Sequence, residues 1–395
     1  MNSVPASLLV VDDNEMNRDM LARRLERRGF KVSLAEDGHQ AMELIRDGSF
    51  DLVLLDVMMP GVDGLQVLQQ VRESRSVKDL PIIMATAKDR SEDVVRALEL
   101  GANDYVTKPI DFPVVLARIQ TQLSLKRATE QLEAAHARMK KDLEAASRIQ
   151  HSLMPTNPPD GGGVRFAWSY RPCDELAGDI LGIEPLDARH IAIYLLDVSG
   201  HGVPSALLAV SLHRLLSHTA EGSIVVQPSR NGTRGRVPTS PPEVVGHLNK
   251  RFPMNPETHQ YFTLLYGVLD LESREFVFTS AGHPEPIHLS GAAHQPVAAE
   301  NGFPVGWFAT ANYGEARVKL NPGDRLYLYS DGIVDAANAE AERFEKERLA
   351  ATLAELGALP LQESVDGLIR KVESWSDGGK PDDDVSIVAL EISPS

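Results

Sequence analysis

The chain has 395 residues, 43% hydrophobic and 24% charged, with 40 Lys and Arg against 56 Asp and Glu, a formal net charge of -16 and one cysteine. At about 100–200 residues per domain this length predicts two or three domains of ordinary globular composition. The carboxylate surplus argues against a nucleic-acid partner, which is held by clustered Lys and Arg. The lone Cys173 excludes an intrachain disulfide and a Cys-rich zinc site, and no apolar stretch reaches the ~18 residues of a membrane span, so a soluble cytoplasmic protein with no membrane partner is expected.

The charge is unevenly spread: -5 up to residue 124, +2 over 125–155 and -13 beyond. Three parts are predicted, 1–124, 125–155 and 156–395. In the first, β-rich runs at Leu8–Val11, Lys31–Ala35, Leu52–Leu55, Ile82–Ala85 and Tyr105–Thr107 alternate with amphipathic segments, which reads as a five-stranded parallel sheet in an α/β doubly wound, flavodoxin-like fold. Such folds bind ligands at the carboxyl ends of their strands. Asp12, Asp13, Asp56, Thr86 and Lys108 all stand there.

Val114–Met154 contains neither Gly nor Pro and predicts one long helix. Leu125, Leu132, Met139, Ala146 and Leu153 recur seven apart, with Ala128, Ala135 and Ile149 three further on, an imperfect heptad seam that suits a parallel coiled-coil homodimer. A single helix lying along its own domains is the alternative. In the third part, strands at His190–Leu196, Thr263–Asp270, Glu275–Ser280, Arg325–Ser330 and Val385–Ile392 come mainly as neighbours, with helices at Pro204–Ser217, Pro241–Phe252, Glu345–Leu356 and Leu361–Trp375. That pattern predicts an α+β layered domain. Gln227–Pro242, rich in Pro, Ser, Gly and Arg, is read as a mobile loop between two helices.

Asp12, Asp13 and Asp56 at one sheet mouth repel one another unless a cation neutralises them, and all-oxygen ligation suits Mg2+. Asp56 is then a nucleophile for a phosphoryl group, with Lys108 and Thr86 beside it. Taken singly, Asp12 and Asp13 read as a strand end and a helix cap. Together LLVVDDNEMNR, LLDVMMPGVDGL, IIMATA and DYVTKPID, with successive spacings of 43, 30 and 22 residues from Asp13 to Asp56 to Thr86 to Lys108, resemble the receiver domain of bacterial two-component response regulators over residues 5–124. The resemblance implies Asp56 as phosphoacceptor, Mg2+ held by Asp13, Asp56 and the Met58 carbonyl with Asp12 acting through water, Lys108 on the phosphoryl group, and Thr86 with Tyr105 as a switch pair. It also implies a sensor histidine kinase or phosphotransfer protein as donor. Simple sheet packing is the other reading of Tyr105.

In the third part, AGD with Asp179, DVSGHG with Asp197, SDGIVD with Asp331 and PDDDVS with Asp383 and Asp384 each set an acid beside small residues at a strand end. Such a set favours Mg2+ or Mn2+ over zinc, and two such ions activate water for attack on a phosphate ester. Four unrelated turns are the alternative. In this order, with SRIQHSLMP, SAGHPEP, GFPVG and DDVSIVALEI, they resemble the PPM-type serine/threonine phosphatases of the sporulation stage II and sigma-regulatory branch, over residues 145–392. The resemblance implies an αββα sandwich and two Mg2+ or Mn2+ ions on Asp179, Asp197, the Val198 carbonyl, Asp331 and Asp383, with Asp384 a neighbour. It implies a phosphorylated protein substrate, an anti-sigma-factor antagonist in a partner-switching pathway.

Two positions depart from that family. A second acid usually follows the first motif where Gly182 stands, and Asp335 occupies a position where Glu is commoner. His201, four residues past Asp197, reads either as a general acid or as a polar residue at a helix start. The whole chain thus reads as a response regulator whose Asp56 controls a phosphatase. A non-enzymatic adaptor that binds a sigma factor or antagonist under receiver control is the alternative.

Overall fold

The computed structural model describes residues 5–87, 91–156, 162–228, 236–254, 257, 259–291, 293–300, 302–376, 378 and 382–394. Two compact units, Met1–Lys140 and Lys141–Ser395, divide the chain. Among the described residues no helix is long and apolar enough to cross a membrane.

The N-terminal unit alternates β1 (Ser7–Val11), α1 (Glu15–Glu26), β2 (Lys31–Ala35), α2 (Gly38–Asp47), β3 (Leu52–Asp56), α3 (Gly64–Arg72), β4 (Ile82–Ala87), α4 (Ser91–Glu99), β5 (Asp104–Lys108) and α5 (Phe112–His151), whose residues from Lys141 on belong to the C-terminal unit. Its sheet is parallel in the order β2-β1-β3-β4-β5. Strand periodicity of two sorts the apolar runs onto two faces. Leu9, Val11, Val53, Leu55, Ile82 and Met84 pack against Ala41, Ile45, Val67 and Leu68 of α2 and α3. Leu8, Val10, Leu52, Leu54 and Ile83 face Leu21 and Leu25 of α1 and Val115 and Ile119 of α5. Side-chain oxygens of Asn14, Asp37 and Asp63 cap α1, α2 and α3 and satisfy backbone donors that a helix start leaves free.

Helix α5 begins two residues earlier and ends three residues sooner than its Gly- and Pro-free run. Pro113 fits in the first turn, where an amide proton has no helical partner. Of the heptad positions, Leu125, Leu132 and Met139 are 61%, 70% and 58% exposed. Leu153 lies beyond the helix and packs on the core of the second unit.

The C-terminal unit contains β6 (Val164–Arg171), β7 (Ile180–Pro185), β8 (His190–Val198), α6 (Val203–Leu216), β9 (Val226–Pro228), β10 (Arg236–Pro238), α7 (Pro241–Arg251), β11 (Phe262–Asp270), β12 (Glu275–Ala281), β13 (Ile287–Ser290), β14 (Ala293–Pro296), β15 (Ala316–Lys319), β16 (Arg325–Tyr329), α8 (Asp331–Val334), α9 (Glu345–Leu356), α10 (Leu361–Trp375) and β17 (Val385–Ile392). Two antiparallel sheets, β15-β12-β11-β8-β7 and β14-β13-β16-β17-β6, form the middle layers. Alternation along β16 and β17 shows the layering. Leu326, Leu328, Val388 and Leu390 join the core shared with the first sheet and with α6 and α7. Tyr327, Tyr329, Ile387 and Ala389 turn the other way, against Leu349 and Leu353 of α9 and Val365 and Leu368 of α10.

Gln227–Pro242 is not a plain loop. Its two ends pair as the ribbon β9–β10, Val237 opposite Gln227, and Pro241 opens α7 behind a Ser240–Glu243 capping box. Residues 229–235, with Arg230 and Arg234, lie outside the described residues.

Candidate functional sites

In the N-terminal unit the neighbouring strands β1-β3-β4-β5 all run parallel, so their carboxyl ends open at one edge. Asp12, Asp13 and Asp56 each offer an oxygen within 4.8 Å of the others. Asp12 and Asp56 are buried, and Lys108 Nζ bridges them, 2.9 Å from Asp12 Oδ2 and 2.6 Å from Asp56 Oδ2. Burial raises the Asp56 carboxyl above its ordinary value and outweighs the lowering by Lys108. Burial pulls the Lys108 ammonium down, but its bonds to Asp56 and Asp12 outweigh that and hold it above its usual range. An all-oxygen set with an excess of negative charge fits a hard divalent cation.

Met58 N donates to Asp56 Oδ1 at 3.2 Å, placing the Met58 backbone at the same mouth. Thr86 is buried with its Oγ1 lacking a hydrogen-bond partner. A buried hydroxyl left unsatisfied is costly and is ready to donate to an incoming oxygen. Tyr105 is partly buried, with the Arg118 guanidinium 5.5 Å from its ring centroid and Arg118 bonded to Asp104.

In the C-terminal unit, antiparallel pairing of Ile180 with Leu196 carries Asp179 and Asp197 to the same end of their sheet. Tyr329 pairs with Ile387, so Asp331 and Asp383 sit together at the corresponding end of β16 and β17. The electrostatics bind the four into one group. Burial pushes Asp197 up to about 8, aided by Asp331, Asp383 and Asp384. Burial, then Asp197 and Asp384, drives Asp179 well above the carboxylate range, and Asp331 and Asp383 are raised chiefly by burial as well. Asp179 is 1% exposed and its Oδ2 has no hydrogen-bond partner. Carboxylates that repel one another around the buried Asp179, with one of its oxygens orphaned, fit a divalent cation.

Asp384 does different work. It accepts hydrogen bonds from the backbone N–H of Cys173 (2.8 Å), Gly178 (2.7 Å) and Asp179 (3.3 Å), anchoring the turn that carries Asp179. A Cβ on Gly178 would lie 2.7 Å from the Val198 carbonyl oxygen, so glycine is what lets these two backbones meet. The Cys173 sulfur also lies within 4.8 Å of Asp383 and Asp384 oxygens; burial pushes the thiol up to about 12, which leaves it protonated and a poor ligand.

His201 is exposed and its Nδ1 lies 3.0 Å from Asp174 Oδ2. Asp335 pairs with Arg343 at 2.6 Å. His283 is buried against Thr263 Oγ1 at 2.7 Å and is kept neutral by burial, which lowers it to about 3. The anchoring carboxylate of Asp384 is the functional contact that sequence reading passes over. In the run Asp382–Asp384 only the burial of the last residue distinguishes it.

The family described as response regulator receiver domain matches residues 8–120, and that described as stage II sporulation protein E matches residues 187–393. Among solved structures, the SiaA-PP2C domain of Pseudomonas aeruginosa is 22% identical, covering 65% of this chain and 98% of its own, with a TM-score of 0.54. That likeness concerns the fold of the C-terminal unit. The PP2C phosphatase domain with a regulatory fragment of SpoIIE from Bacillus subtilis is 20% identical over 58% of this chain and 63% of that one, TM-score 0.45. A Francisella response regulator receiver domain is 28% identical over 30% and 97%, TM-score 0.29.

Proposed function

This chain belongs to the stage II sporulation protein E family and carries a response regulator receiver domain ahead of that region, and from that premise we propose that phosphorylation of Asp56 controls a metal-dependent phosphatase acting on phosphoserine or phosphothreonine in a protein. The observation that carries the reading is the group Asp179, Asp197, Asp331 and Asp383, drawn from four separate segments, mutually repelling, with one buried oxygen unpartnered. Structural ion pairs do not explain it, because no cation of the protein is bonded to Asp179 or Asp197 among the described residues.

In the receiver, the Asp56 carboxylate attacks the phosphorus of a phosphohistidine supplied by a sensor kinase or phosphotransfer protein, and the P–N bond breaks. Lys108 stays on the phosphoryl oxygens and Thr86 Oγ1 donates to one of them. Asp12, Asp13, Asp56 and the Met58 carbonyl would hold Mg2+ there, and Tyr105 follows Thr86. In the phosphatase, Asp179, Asp197, the Val198 carbonyl, Asp331 and Asp383 would hold two Mg2+ or Mn2+ ions, whose chemistry is to activate a water and neutralise the phosphate ester. Asp384 orients the Asp179 turn, and His201, held by Asp174, lies exposed close enough to Asp383 to lower its carboxyl.

The substrate proposed is an anti-sigma-factor antagonist, and the setting a partner-switching pathway in the cytoplasm. The exposed Leu125, Leu132 and Met139 support a homodimer through α5. Phosphate release from a phosphorylated antagonist in the presence of Mn2+, lost in Asp331→Ala, tests the enzymatic reading. Binding of the antagonist with no hydrolysis by the unaltered chain would instead support an adaptor.

A further inference from the structure

The motif that closes the long helix, SRIQHSLMP, belongs to neither acidic site, yet it grips one of them. Gln150, the penultimate residue of α5, is 3% exposed. Its Nε2 donates to the Ala177 carbonyl at 2.8 Å and its Oε1 accepts from Ala177 N at 3.1 Å. A planar amide bonded to both polar atoms of one residue fixes that backbone in position and orientation together, as a rung of a sheet does. Ala177 is fully buried and lies two residues before Asp179. The next two amides, of Gly178 and Asp179, are held by Asp384, and Gly178 presses on the Val198 carbonyl. The segment bearing Asp179 is thus held by the approach to β17, by the end of β8 and by the last turn of α5. That last turn is itself anchored: His151 meets the Tyr170 ring edge-on at 5.3 Å, and Met154 is in the core.

We propose that Gln150 is a positioning residue for the metal cage: through Ala177 it sets the Asp179 carboxylate, so that divalent-ion affinity and the placement of the last turn of α5 are coupled. The proposal rests on Asp179 being a metal ligand and names the contact by which the linker helix acts on that site. The coupling is reciprocal. An ion that requires Asp179 in place stabilises the helix end, and whatever displaces the helix end weakens the ion. A methionine at 150 keeps the length and loses both hydrogen bonds.

The experiment uses the full chain with Asp13→Ala in every protein, so that the receiver ion is not read. Calorimetric titration with Mn2+ is expected to show Gln150→Met raising Kd by about 10–100-fold, the usual effect of removing a group that orients a ligand, with turnover of a phosphoserine peptide recovering at saturating Mn2+. A Kd within twofold of the parent, with a lowered melting temperature of the metal-free protein, would assign Gln150 to stability alone and overturn the proposal. Amide exchange in the chain retaining Gln150 decides the matter even if Gln150→Met does not fold: Mn2+ must slow exchange at 148–152 as well as at 177–179, and slowing confined to 177–179 overturns it. Mn2+ binding with these signatures but no hydrolysis of any phosphoserine substrate would leave the clamp standing and remove the phosphatase reading, whereas no Mn2+ binding at all would remove both.

Discussion

Gly182 lies directly opposite Tyr194 in the β7–β8 register, and a Cβ on Gly182 would come 2.3 Å from Tyr194 Cζ. The tyrosine ring therefore occupies the space that a side chain at 182 would need. It is held there by its hydroxyl, 2.7 Å from His213 Nδ1 on α6, and by the Tyr266 ring stacked 6.4 Å away. The acid missing from this position is thus replaced by packing and leaves no hole. Gly182→Asp is expected to destabilise the protein by about 1–3 kcal/mol, as overpacking does, without tightening Mn2+ binding. In a Tyr194→Ala background, itself destabilised, the same Gly182→Asp change should cost less. Thermal melting and metal titration of the single and double variants check it.

Asp197 gives a pH dependence with a definite sign. Its carboxyl is pushed up to about 8 in the folded metal-free protein against an ordinary value of 3.8. Between those values the folded chain keeps a proton that the unfolded chain has lost, so the contribution is present below about pH 4 and is lost as pH rises toward 8. Divalent ions need the carboxylate charged and reverse the trend. The rise in melting temperature on adding Mn2+ should be larger at pH 8 than at pH 6, with protons released on binding at pH 7, measured by calorimetry in buffers of different ionisation enthalpy.

Asp384→Asn should cost about 2–3 kcal/mol, because one amide oxygen replaces two charged acceptors and its NH2 meets backbone donors. Urea unfolding of the metal-free protein measures it. Weaker Mn2+ binding is expected alongside, since the Asp179 turn loses its anchor.

The linker prediction concerns Leu132, 70% exposed on α5 between Leu125 and Met139. Leu132→Glu should convert a dimer to a monomer in light scattering while leaving the melting of each unit unchanged.

Much of this architecture is legible in the residues. The N-terminal strands announce themselves because both faces of a parallel sheet are covered, so LLVV and LVLL are continuous apolar runs. Helices α9 and α10 show the apolar stripe at its true bounds, Glu345–Leu356 and Leu361–Trp375. β6 escapes because Arg165 and Arg171 bracket a strand whose partner, β17, lies over two hundred residues away. β7 escapes because Gly182 sits in its middle, where its tolerance depends on Tyr194. The ribbon β9–β10 is hidden by its prolines, Pro228 and Pro238, which end its two strands. The acids of the cage are legible by motif, but their grouping is not. The register of Ile180 with Leu196 pairs Asp179 with Asp197, that of Tyr329 with Ile387 brings Asp331 near Asp383, and the repulsion of Asp197 by Asp331 and Asp383 links the two pairs.

The most direct test of the central claim measures phosphate release from a phosphoserine antagonist with Mn2+, with and without beryllofluoride on Asp56. Control by the receiver predicts a rate that changes at least severalfold on adding beryllofluoride, is unresponsive to it in Asp56→Asn, and disappears in Asp331→Ala. A rate unchanged by beryllofluoride and by both substitutions, or no hydrolysis by the unaltered chain, would contradict it.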